Sequence, residues 1–128
     1  MIVVDASVLI AQLDERDAHH ERAHDRLLEL AAQSLGASPI TTAEVLVGPA
    51  RQGRLEEARA ALMTLGVTEI AFGAEASTRL AVLRAETQLK LPDCCVLLAA
   101  QESGAQGLFT FDEQLAATAS RLGLASVG

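Results

Sequence analysis

Hydrophobic and polar positions along the chain fall into short apolar runs separated by longer amphipathic stretches. Ile2-Val3-Val4 is an apolar run of strand type, suited to burial on both faces. Residues 6–13 predict a short helix, and the charged segment 14–17 breaks it. Residues 19–32 predict a second helix with Ala23, Leu27, Leu30 and Ala31 on one stripe, ended by Gly36. A strand over 37–40 follows. Thr41-Thr42 offers an N-cap for a helix carrying Glu44, Val45, Leu46 and Val47, which Gly48-Pro49 should end or kink. Residues 55–65 predict a helix stopped by Gly66, 67–72 a strand and 74–89 a long helix. Pro92 suits the first turn of a helix running to about Ser103 and closed by Gly104. A strand over 107–110, a helix over 113–122 and a terminal strand over 124–127 complete the pattern. Short apolar strands alternating with helices predict an α/β fold with a mainly parallel sheet of about five short strands. No linker, repeat or low-complexity tract interrupts it, so residues 1–128 are expected to form a single domain.

The acids are placed by this pattern. Asp5 follows the first strand, Glu44 lies in the first turn of the helix after the second, and Asp112 lies two residues beyond the fourth. Asp93 opens the helix leading into the fourth strand, and that helix runs antiparallel to the strand. All four therefore belong to the C-terminal edge of the sheet, where open parallel sheets bind ligands. Unpaired, clustered carboxylates raise one another's pKa values, and a hard divalent cation such as Mg²⁺ or Mn²⁺ relieves the repulsion. Ser7 and Thr110, each two residues from an acid, could orient the carboxylates or a bound water. The competing explanation is local: acids are common in first helical turns for dipole reasons alone.

Composition narrows the function classes. Ten Lys and Arg against seventeen Asp and Glu give a net charge of −7, and Lys90 is the only lysine. Tight nonspecific nucleic-acid binders carry a basic surface, so a phosphate-bearing partner would need metal ions or a local arginine patch. Arg16, Arg22, Arg51 and Arg54 are the candidate contacts. Three Phe and no Trp or Tyr argue against an aromatic stacking platform. Cys94 and Cys95 are adjacent and poorly placed for a disulfide, which suits small buried hydrophobes. With no basic, apolar leader and no apolar run of membrane length, a soluble cytoplasmic protein is expected.

The segments Val3-Val4-Asp5-Ala6-Ser7-Val8-Leu9-Ile10, Thr42-Ala43-Glu44-Val45, Leu91-Pro92-Asp93 with Leu97-Leu98-Ala99-Ala100, and Leu108-Phe109-Thr110-Phe111-Asp112 come in an order and spacing that resembles the PIN-domain family. The chain looks most like the VapC-type ribonuclease toxins within it. The resemblance implies a three-layer α/β/α domain and an acidic metal-binding and catalytic quartet at Asp5, Glu44, Asp93 and Asp112. Ser7 and Thr110 fall at the family's hydroxyl positions. It also implies Mg²⁺-dependent endonucleolytic cleavage of RNA by metal-activated water, homodimers, and a small cognate antitoxin that neutralises a type II toxin. Cys94-Cys95 depart from the small or aliphatic residues usual after that third acid.

The same chain matches other chemistries only in part. His20-Glu21-Arg22-Ala23-His24 fits the H-E-x-x-H pattern of zinc hydrolases, without a third ligand at a standard spacing. A haloacid-dehalogenase-type phosphatase would need an acid where Ser7 stands. A receiver domain would need an acid ending the third strand, where Phe72 stands, and a lysine near the last, whereas the only lysine is Lys90. A non-catalytic PIN-like scaffold that only binds a partner is the remaining alternative.

Overall fold

The computed structural model describes residues 1–128. Its strands are β1 (Ile2–Val4), β2 (Leu35–Ala37), β3 (Val67–Glu69), β4 (Gly107–Phe109) and β5 (Ala125–Ser126). Its helices are α1 (Ala6–Leu13), α2 (His20–Glu29), α3 (Pro39–Arg51), α4 (Leu55–Thr64), α5 (Ala76–Thr87), α6 (Leu91–Ser103) and α7 (Glu113–Arg121). The five strands form one sheet in the order β3-β2-β1-β4-β5, and every neighbouring pair is parallel. β1 is central, with Ile2 beside Leu35 of β2 and Gly107 of β4.

Period-two alternation along β1 divides the core into two layers. Ile2 and Val4 face a cluster with Leu9, Ala23, Leu27, Val45 and Leu62 from α1 to α4. Val3 faces the other way, toward Leu83, Leu97, Leu98, Leu115 and Ala119 from α5, α6 and α7. The result is the expected α/β/α sandwich. α6 is its most buried helix, with an unbroken run from Cys94 to Ala100 inside, which explains why it reads as apolar all round. Leu97→Ala is expected to cost about 2–5 kcal/mol of unfolding free energy, measured by urea denaturation, because a well-packed core relaxes poorly around a lost side chain.

Three local expectations are corrected. Gly36 does not end α2; it lies inside β2, where a Cβ would come within 2.6 Å of Ile70 Cδ1. α3 begins at Pro39 rather than after Thr42, because the Ser38 side chain accepts from the Thr41 N–H and Pro39 supplies a pre-set first turn. The strand expected over 37–40 accordingly ends at Ala37. Pro49 does not stop α3, which runs two residues further to Arg51 before a turn at Gly53 with φ +70°. The closing glycine of α6 is as expected: Gly104 sits at φ +62°, the left-handed conformation of a helix C-terminus. No helix is long and apolar enough to cross a membrane.

Candidate active site

The chain moves outward from β1 through β2 to β3, then crosses to β4 on the opposite side of β1. The switch point is therefore the crevice beyond the C-terminal ends of β1 and β4. The Asp5 N–H donates to the Phe109 carbonyl at 2.9 Å, so Asp5 and the turn from Thr110 to Asp112 stand side by side there.

Asp5 occupies the N-cap position of α1, yet its side chain makes no capping bond. It is buried. Its Oδ2 accepts from the Ser7 hydroxyl at 2.8 Å and from the Thr110 hydroxyl at 2.8 Å. Each hydroxyl in turn accepts a main-chain N–H of the same turn: Phe111 to Ser7 Oγ at 3.2 Å, and Asp112 to Thr110 Oγ1 at 2.9 Å. Two symmetrical relays thus fix one carboxylate oxygen and leave Oδ1 with no partner in the chain. A group used only for helix capping would turn to the helix N–H groups instead. The two hydroxyls placed two residues from an acid in the sequence, Ser7 and Thr110, thus meet on the same oxygen of Asp5.

Asp112 plays a double part. Its Oδ1 accepts from the Leu115 N–H at 3.0 Å, capping α7, and its Oδ2 is left uncommitted. For this residue the helix-cap explanation holds alongside any other role. Asp93 lies in the first turn of α6, where the helix dipole favours a carboxylate. Its carboxyl is nonetheless pushed up to about 6, by desolvation first and then by the charges of Asp5, Asp112 and Glu44, against a smaller opposing pull from Lys90. Glu44, in the second turn of α3, is also raised, by desolvation and then by Asp5. The four acids therefore share one electrostatic environment. No three of them stand close enough together to enclose a single ion; like charges on flexible stems spread.

The arginines divide around this crevice. Arg22, on α2, places its guanidinium 4.9 Å from the centre of the Phe111 ring. Arg16 and Arg54 border a groove of about 320 Å³ between α1, α3 and α4, which Glu44 also lines. Arg54 is tied to Glu57 at 2.6 Å, and Arg16 pairs loosely with Asp14 at 3.4 Å. Arg51 is exposed at the end of α3.

The His20 and His24 rings are near parallel with centroids 6.4 Å apart, and no third metal-ligating side chain joins them. His20 Nδ1 bonds the Ala11 carbonyl at 2.8 Å, tying α2 to α1. Cys94 and Cys95 are buried, and desolvation pushes both thiols up, which makes them poor nucleophiles. Sequence reasoning missed Phe111 and His19, whose rings stack at 4.6 Å. They are 92 residues apart in sequence, so no local signal pairs them.

Fold and crevice together define a three-layer α/β domain with an acidic pocket at its switch point. The chain belongs to the PIN domain family, whose model matches residues 2–121. It is similar to a toxin–antitoxin complex from Klebsiella pneumoniae at 28% identity and a TM-score of 0.70, covering 88% of this chain and 87% of that one. A sarcin–ricin-loop-cleaving VapC toxin of Mycobacterium tuberculosis matches at 21% identity and 0.69, covering 92% and 95%. A VapBC complex from Rickettsia felis bound to a fragment of its promoter matches at 18% and 0.71, covering 98% and 97%. No curated protein matches the chain.

Proposed function

We propose that this protein is a divalent-metal-dependent endoribonuclease and the toxin of a type II toxin–antitoxin pair. The observation that carries the proposal is Asp5: a buried carboxylate at the switch point, one oxygen fixed by two hydroxyls and the other uncommitted, coupled electrostatically to Glu44 and Asp93. The donors are all carboxylate oxygens, which fits a hard cation, Mg²⁺ or Mn²⁺ in its place. Asp5, Glu44, Asp93 and Asp112 would hold it. When bound, such a cation supplies Lewis acidity to a phosphodiester and lowers the pKa of water. The chain contributes the rest. The Ser7 and Thr110 relays keep Asp5 in one orientation, so no reorganisation is needed during the reaction. Asp93 must shed its proton for the acidic set to reach full charge, which favours neutral over acidic pH. Arg22, over the Phe111 ring, and Arg16, in the groove that Glu44 lines, offset the repulsion between an acidic protein and a polyanion.

The groove lined by Ile10, Leu13, Val45 and Pro49, with Asp14, Glu44 and Glu57 among its acids, suits an antitoxin segment that is apolar with a basic residue reaching the site. Exposed Ile40, Val47, Val82 and Leu91 suit a homodimer contact. RNA cleavage with end-mapping, in Mg²⁺ and in EDTA, tests the proposal; undiminished cleavage in EDTA would overturn it. His20→Ala combined with His24→Ala is expected to leave that cleavage within a factor of about 2, since these rings stand apart from the acidic set. Loss of activity restored by zinc would instead favour histidine–metal chemistry.

A further inference from the structure

The turn that carries Thr110 and Asp112 also presents the one aromatic ring near the acids. Phe111 is half-buried, packed edge-on against Phe109 with centroids 5.4 Å apart and the planes at 83°. The His19 imidazole lies against it at 4.6 Å, the planes only 26° apart. His19 is exposed and its ring nitrogens make no hydrogen bond; only its main chain is engaged, the N–H donating to Asp17 at 2.8 Å and the carbonyl accepting from the Ala23 N–H at 2.9 Å. Arg22, one turn along α2, sits over the same Phe111 ring at 4.9 Å. It is exposed and, like Arg51, Arg84 and Arg121, has no carboxylate partner, whereas Arg16, Arg26, Arg54, Arg59 and Arg79 are paired; of those four, Arg22 is the one over the Phe111 ring. In a chain of net charge −7, an unpaired arginine and an open imidazole stacked beside the acids form a local exception.

We propose that His19 and Phe111 form a stacking column that seats the RNA nucleobase adjoining the scissile phosphate, with Arg22 holding a neighbouring phosphate. This rests on the ribonuclease proposal above. The shortage of aromatic side chains argues against a platform spanning several bases; a column for one base needs only one phenylalanine and one imidazole. Every base has a π-face, so stacking positions the strand whatever its sequence. The free imidazole nitrogens can add a preference by meeting a base edge, provided the base is splayed out of a helix. Anchoring Phe111 through its N–H to Ser7 Oγ holds the column in register with Asp5.

The test uses a synthetic single-stranded RNA spanning the cleavage position mapped with cellular RNA. His19→Ala is expected to raise KM by roughly 5- to 100-fold, the range of one base–aromatic stack. Stacking holds substrate and transition state alike, so kcat should stay within about 2-fold. His19→Phe should restore KM. An abasic nucleotide beside the scissile phosphate should penalise the wild type and add nothing to the His19→Ala penalty. An unchanged KM in His19→Ala, or additive penalties, would overturn the column while leaving the ribonuclease proposal standing. An unchanged KM with weakened antitoxin binding would also overturn it and assign the surface to a protein partner. A wild type inert toward RNA in Mg²⁺ overturns both proposals together.

Discussion

Asp5→Asn is expected to lower RNA cleavage by at least about 10²-fold, the scale of losing one preorganised electrostatic group at a transition state. The substitution suits the geometry unusually well. An asparagine carbonyl can still accept from Ser7 and Thr110, while its NH₂ replaces the one oxygen that has no partner in the chain. Shape and relays survive; a ligand oxygen is lost. The melting temperature of the metal-free protein should therefore not fall, and relief of repulsion on Asp93 and Glu44 should raise it, which separates a catalytic effect from unfolding. Cleavage within a few-fold of wild type, measured by end-mapped turnover in Mg²⁺, would remove Asp5 from the chemistry.

The second large effect is on stability. The Asp93 carboxyl titrates near 6 in the folded chain against an ordinary value of 3.8. Between those values the folded state holds a proton that the unfolded state has released. The contribution of Asp93 to the stability of the metal-free protein therefore falls as pH rises from about 4 to about 6, and stays lower above that. Asp93→Asn removes this loss. At pH 7 to 8 it should stabilise the metal-free protein by about 1–2 kcal/mol, allowing for solvent screening of a partly exposed group. That corresponds to about 3–8 °C in melting temperature for a domain of this size. At pH 4 the gain should vanish. Mg²⁺ should raise the melting temperature of the wild type by mass action and that of the variant less. If Asp93 only complements the α6 dipole, the substitution should cost stability instead, and Mg²⁺ should leave both melts unmoved.

These expectations rest on how far the residues disclose their own positions. β1 and β4 were legible because a buried parallel strand leaves a bare apolar run, and an acid just past its end can only stand at the C-terminal edge. Asp5, Asp112 and the hydroxyls between them follow from that. α6 was legible from Pro92 and Gly104, which mark its ends by backbone restriction rather than by side-chain packing. Glu44 was placed on the correct helix one turn too early. Ser38 and Thr41 are both good caps, and the choice between them depends on where β2 stops, which tertiary pairing with β1 and β3 decides. Gly36 misled for a related reason. Glycine ends helices through its backbone freedom, but here its missing Cβ leaves room for the ends of the Ile70 and Met1 side chains, which lie against β2. The uneven commitment of the Asp5 oxygens and the His19–Phe111 stack were invisible, since both depend on which elements β1's central position brings together.

That central position has a consequence for timing. The hydroxyl that fixes Asp5 belongs to Thr110, 105 residues further along the chain. Chains emerge from the ribosome N-terminus first, and structure forms as each segment becomes available. Asp5 is synthesised 105 residues before Thr110 and has no fixed orientation until β4 has docked against β1. A nascent polypeptide that has passed β1 but not yet reached β4 therefore carries its first acids unassembled. Whatever the acidic set does, it can do only after Thr110 and Asp112 have been made and the two strands have paired.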